Sequence, residues 1–243
     1  QTSHRGGPRV VVLYPAHKLN RNAANALLKT LEEPPANTVF ILLAHDVKQL
    51  LPTIVSRSQI VHLSKPSTEQ ALSYLNAIKT NPHWAEYLQQ ENGAVMRVAE
   101  LVDGAYFDIQ KQWIDGLAQG VRLNLTVVTT AFEKYVNDSA KARLAGEERA
   151  LVDMRTLMNW LQRWVYDLSV VAQKAAPARY YPKEQAQMER LTAAQVQTKG
   201  PAFIAGLHAF SAQLAKEKRM ADHPLNTRSW IERLLLQYTQ LFD

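Results

Sequence analysis

Arg21, Asn25 and Lys29 stand four residues apart, so on a helix they share one face, with the two cations roughly 12 Å apart along the axis. Cations at that pitch can meet phosphates along one nucleic-acid strand, and a helix start capped by Asn20 adds its own positive end. Spacing alone favours the plainer reading, a solvated polar face. His17 follows a strand end, yet no second histidine or acid stands at metal-ligand spacing, and it reads as a surface histidine. Glu32 and Glu33 invite thoughts of acid–base work. Adjacent on a helix end they point in different directions, and they read as helix-end structure that could pair with a neighbour. Trp160 and Trp164, with Tyr166 nearby, could stack bases. At helical spacing inside an apolar stripe they read as core instead.

The elements that must position these groups start with RVVVLYPAHKLN, residues 9–20. Val10, Val11, Val12 and Leu13 predict a strand buried on both faces. A nucleotide-hydrolysing site would end such a strand in carboxylates, because Mg²⁺ needs hard oxygen ligands there. Here the strand ends in Tyr14 and Pro15, which supply neither a metal ligand of that kind nor a base. A helix over 21–33 follows, with Ala24, Leu27, Leu28 and Leu31 as its apolar stripe and Pro34–Pro35 as its stop. Strands at 38–44 and 59–63 complete a βαβ cadence, which predicts a mostly parallel sheet.

After residue 64 the rhythm changes and no strand is predicted. Ser67 and Gln70 form a capping-box signature for a helix running to about Lys79. NPHWAEYLQQENG, residues 81–93, reads as a helix with a glycine stop, and another helix follows Ala94. A linker is expected near Gly116–Gly120. Leu151, Met154, Leu157, Leu161, Trp164, Leu168 and Val171 recur every three or four residues, the pattern of a long helix with one core stripe. Pro177–Pro182 breaks it, and helices near 201–218 and 226–241 close the chain.

The 243 residues, 47% of them hydrophobic and 21% charged, are ordinary for a globular protein that buries a sizeable core. The net charge is +6, of which residues 1–64 carry +4: seven cations against Glu32, Glu33 and Asp46. That excess points only weakly to nucleic acid. No cysteine is present, which excludes disulfides and thiolate metal sites in these residues. No apolar run approaches the ~20 residues that span a bilayer, and a cytoplasmic setting is expected. A three-stranded sheet is a poor independent domain, the sequence opens with Gln just before a core strand, and no G-x-x-x-x-G-K-[ST] loop occurs. The expectation is that an N-terminal portion with the first strands and any phosphate loop precedes these residues.

NALLKTLEEPP (25–35), an apolar strand, and then LLPTIVSRSQIVHL (50–63) together resemble the clamp-loader branch of the AAA+ proteins, in the order and spacing of bacterial DNA polymerase III subunits. The likeness is dense over 9–65 and weaker through 66–116, where Gly93 and Arg97 fall near the family's second sensor position. It is loosest in DHPLNTRSWIERLLLQY (222–238). The resemblance implies the C-terminal part of an AAA+ α/β core at 1–65, a helical lid at 66–118 and a helical collar for oligomerisation at 119–243, so α/β plus all-α and predominantly helical. Motor subunits keep an Asp-Glu pair where this chain has Tyr14-Pro15, and a small polar sensor where it has Ala44-His45-Asp46. Both departures imply the stator, which hydrolyses no ATP and needs no cofactor of its own.

The family's Ser-Arg-Cys motif stands here as Ser56-Arg57-Ser58. The resemblance implies that Arg57 reaches into a neighbour's ATP site, positioned by the flanking serines. It implies DNA contact by Asn20, Arg21 and Lys29. The partners it implies are the gamma/tau ATPase subunits, the delta subunit, primed DNA and, indirectly, the sliding clamp, within a DNA-directed DNA polymerase holoenzyme and away from membranes. Two other readings stay open: an ATP-hydrolysing motor subunit, and a helical nucleic-acid-binding scaffold.

Overall fold

The computed structural model of the chain describes residues 7–102, 105–146, 152–218 and 226–243. Its contacts divide it into two compact units, Gln1–Ser64 and Lys65–Asp243.

In the first unit β1 (Arg9–Leu13) and β2 (Thr38–Leu42) pair in parallel, with Arg9 opposite Thr38 and Leu13 opposite Leu42. The connection between them contains α1 (Arg21–Glu32). Asn20 caps α1 by accepting a 2.8 Å bond from the Ala23 N–H. Ala24 is buried and Leu27, Leu28 and Leu31 are half-buried, while Arg21, Asn25 and Lys29 are exposed. The apolar stripe therefore faces inward and the cations face solvent. After β2, Asp46 caps a 3₁₀ turn (Val47–Gln49), and α2 (Pro52–Val55) opens on a proline, whose missing N–H costs nothing at a helix start.

Two expectations for this unit are corrected. Residues 59–63 form no strand: they pair with neither β1 nor β2, and an extended segment without a ladder partner leaves its apolar residues in water. Val61 and Leu63 are 73% and 85% exposed. Nor is the sheet buried on both faces. Val11, Leu13, Phe40 and Leu42 are half-buried, while Val10, Val12, Val39 and Ile41 are exposed. Successive side chains of a strand point to opposite faces, so one face of the pair is covered and the other is open.

The second unit is all helical among the described residues. The capping box forms as the sequence predicts: the Gln70 N–H donates to Ser67 Oγ at 3.2 Å and the Ser67 N–H to Gln70 Oε1 at 2.9 Å, opening α3 (Thr68–Ile78). Next come α4 (Trp84–Gln90) and α5 (Val95–Leu101), and the three helices close a small core of Ala71, Leu75, Trp84, Leu88 and Val98. The remaining helices are α6 (Tyr106–Leu117), α7 (Leu125–Leu144), α8 (Met154–Ala172), α9 (Gln185–Lys199), α10 (Pro201–Glu217) and α11 (Thr227–Thr239). They surround a larger core to which α6 gives Trp113, Ile114 and Leu117, and α8 gives Trp160, Leu161 and Trp164. Helix α6, placed by sequence with the lid, thus shares its core with the helices placed in the collar.

The linker expected at Gly116–Gly120 is also corrected. Gly116 lies inside α6, against Val128 of α7, and only Gly120, with φ +55°, makes the turn. The sequence pattern predicts neither α7 nor α9, and gives one helix after Ala94 where the structure has both α5 and α6. Leu151, the first residue of the predicted α8 stripe, lies outside the described residues, as do residues 222–225 of the last motif.

Buried polar groups fasten this unit. Asp167, fully buried, accepts 2.8 Å bonds from the backbone N–H groups of Arg179, Tyr180 and Tyr181. Burial still outweighs those donors and holds its carboxyl above the usual range. Arg163 grips Glu91 with both Nη atoms, at 2.7 and 3.2 Å, and the Tyr106 hydroxyl donates to the same carboxylate. Burial and Glu91 push the Tyr106 phenol well above its ordinary value. Among the described residues no helix is long and apolar enough to cross a membrane.

Candidate functional site

The candidate site belongs to the first unit, at the ends of its strands and helices. At the end of β1 the Tyr14 hydroxyl lies 3.2 Å from Nε2 of His45, which follows β2. Their rings meet edge to face at 5.7 Å, and the His17 ring stands 5.5 Å from that of His45. Folding therefore gives His17 a second histidine that its sequence neighbourhood lacks. The nearby carboxylate, Asp46, accepts from the Lys48 N–H at 2.9 Å and is engaged as a cap. A phenol and two imidazoles are poor ligands for Mg²⁺, which takes carboxylate, phosphate and water oxygens. Among the described residues no three His, Cys, Asp or Glu side chains converge to hold a metal ion.

Ser56, Arg57 and Ser58 lie at the C-terminal end of α2, where carbonyls are left without intrahelical donors. Ser56 Oγ donates to the Thr53 carbonyl at 3.1 Å and Ser58 Oγ to the Ile54 carbonyl at 2.8 Å. The serines thus fix the backbone that carries Arg57. The guanidinium curls back on the same helix end: Nη1 donates to the Thr53 carbonyl at 3.1 Å and to Ser56 Oγ at 3.4 Å. Its Nη2 pairs with Glu32 Oε1, at the end of α1, at 2.5 Å. The Arg57 side chain is 37% exposed and that of Glu32 49%, so the pair is screened by water and adds ~1 kcal/mol or less to stability.

On α1, Asn20 spends its side-chain oxygen on the cap, and Arg21 and Lys29 extend from an exposed face. In the second unit, Gly93 adopts φ +76° before α5, and Arg97 lies over the Tyr106 ring, 5.8 Å from its centroid, and near Glu100. Trp160 and Trp164 are fully buried and donate their indole N–H to Tyr106 Oη and Tyr238 Oη, so they are core, as the stripe predicts. The site residue that sequence reasoning misses is Glu32. Its position marks it as helix-end structure open to a neighbour, and the neighbour is Arg57 of the same chain.

Residues 1–67 match the family described as DNA polymerase III, delta subunit. The DNA polymerase III subunit delta-prime of Pseudomonas aeruginosa is 34% identical over 165 residues, covering 68% of this chain and 46% of that protein. The corresponding Haemophilus influenzae subunit is 47% identical over 77 residues, 32% of this chain and 24% of that protein. Subunit tau of Salmonella typhimurium is 35% identical over 116 residues, 48% of this chain and 17% of that protein. The chain spans less than half the length of each of these relatives. By these matches the chain belongs to the bacterial DNA polymerase III clamp-loader family, with the delta-prime subunits.

Proposed function

We propose that the chain is part of the clamp loader's stator, a subunit that hydrolyses no ATP and presents Arg57 to the ATP site of a neighbouring gamma/tau-type subunit. The observation that carries this reading is the pairing of Tyr14 with His45 at the strand ends, where a motor would hold Mg²⁺ and orient water. An arginine offered to a neighbour suits that role. Its planar fork can span phosphoryl oxygens and offset the charge that builds on them as the bond to the leaving phosphate breaks. Ser56 and Ser58 position it by fixing the end of α2.

In this reading residues 66–118 act as lid and 119–243 as collar, the partners are the ATPase subunits and delta in the cytoplasm, and the sliding clamp is reached through them. Asn20, Arg21 and Lys29 meet the phosphates of primed DNA without reading its sequence.

The test is Arg57→Ala in the complete protein, assembled with its ATPase subunits. Fingers supplied in trans are worth roughly 10³–10⁵ in rate at their own site. With several sites in a ring the bulk rate falls only partly, so clamp loading on primed DNA is the measurement, and it should fall steeply. Arg57→Lys should rescue poorly, because an ammonium lacks the bidentate geometry. Loading at the wild-type rate by an Arg57→Ala complex would sink the finger role. The tau relatives give the motor reading its claim. ATP turnover by the isolated complete protein would establish it.

A further inference from the structure

Arg57 is not extended. Its guanidinium is folded onto the end of its own helix, with Nη1 shared by the Thr53 carbonyl and Ser56 Oγ and Nη2 held by Glu32. A phosphoryl group and the Glu32 carboxylate are both anions that seek the same Nη2 hydrogens, so they compete for one donor. We infer that Glu32 is a positioning residue that parks Arg57, and that a neighbour's polyphosphate must displace Glu32 before the guanidinium can serve it. This rests on the reading of Arg57 as a finger in trans.

Three features support a latch rather than a fixed brace. The pair is a third to a half exposed, so it can open without stripping a buried charge of its partner. Glu32 is the last residue of α1 and Arg57 follows α2, so the ion pair ties two helix ends through side chains alone. Finally, the two bonds on Nη1 come from the end of α2 itself, which keeps the side chain in place when Glu32 lets go.

The test compares Glu32→Gln and Glu32→Asp with wild type in the complete protein assembled with its ATPase subunits. Glutamine keeps the shape and removes the competing charge. Breaking an exposed pair of this kind changes an equilibrium by about two- to fivefold, so the KM for ATP at that interface should fall by that factor with kcat nearly unchanged, the signature of a removed ground-state competitor. Aspartate keeps the charge on a shorter arm and should fall between. Raising salt should shrink the difference, because exposed pairs are screened. On an Arg57→Ala background Glu32→Gln should add nothing further. A second measurement needs no neighbour: phenylglyoxal should modify Arg57 faster in unassembled Glu32→Gln, followed peptide by peptide. If Arg57→Ala leaves clamp loading untouched, the finger reading fails and the latch falls with it. If Arg57→Ala slows loading while Glu32→Gln raises KM, leaves KM unchanged or lowers kcat, the latch alone is overturned.

Discussion

The two units divide their residues differently between packing and surface. Among the described residues of the first unit, the buried apolar side chains are Ala16, Ala24 and Ile54, all modest in size except the last. The second unit buries Trp84, Trp113, Trp160, Trp164, Tyr181 and Tyr238, and ties several of them with hydrogen bonds from indole and phenol groups. The first unit carries the proposed chemistry on helix and strand ends with a thin core beneath. The second carries almost none of it on a thick core. Stability and function should therefore respond to substitution in opposite units.

Substitutions that should separate them run from the core outward. Trp164→Ala removes a fully buried indole whose N–H donates to Tyr238 at 2.8 Å, and should cost about 3–5 kcal/mol in urea unfolding followed by circular dichroism. A loss below about 1 kcal/mol would break the contrast, since well-packed cores do not give up a large ring so cheaply.

Asp167→Asn comes next, at about 2 kcal/mol, because an amide cannot serve three backbone donors without turning its own N–H toward one of them. This carboxyl has its folded pKa raised, so its share of stability is fully present below the unfolded pKa near 3.8 and is lost as pH rises through the folded value. The asparagine variant should lack that slope, which unfolding at a series of acid pH values would reveal.

In the first unit, Asn20→Ala removes the cap of α1 and should cost about 1 kcal/mol, seen as faster hydrogen exchange over 21–25. Smallest in stability are Arg21→Ala and Lys29→Ala, within about 0.5 kcal/mol of wild type. Their effect should be on DNA binding by the assembled complex, shallower by about one unit of log–log salt slope for each phosphate no longer neutralised. An unchanged slope in the double variant would return these cations to solvent.

What the sequence made legible follows the same division. Features encoded within a few residues appear as read: the Asn20 cap, the Ser67–Gln70 box and the tryptophan stripe of α8. Of the longer-range features only the parallel pairing around α1 is legible, from the βαβ cadence. The others that depend on distant partners are not. Residues 59–63 have strand composition, but a strand exists only where another offers its edge. Helix α9 buries only Met188 and Thr192, too thin a stripe to betray a helix by periodicity. The site divides likewise. Ser56-Arg57-Ser58 is visible as a motif, whereas the Glu32 that holds the arginine and the His45 that meets Tyr14 are brought in by the fold.

All five tryptophans lie in the second unit, four of them buried. In optical terms the molecule is lopsided: indole emission reports on the helices and is nearly blind to the strands, to α1 and to Arg57. A fluorescence trace of unfolding would follow the second unit and pass over the first. The first unit can be read by difference, as emission that a variant adds to that of the five native indoles. Tyr14 is 65% exposed, and Tyr14→Trp would place one indole in the first unit beside His45, its emission set by water and by the contact with that ring. With no native cysteine in these residues, a single cysteine introduced near α2 would accept a dye. Energy transfer from the introduced indole to that dye would track the strand ends against the helix that carries the arginine.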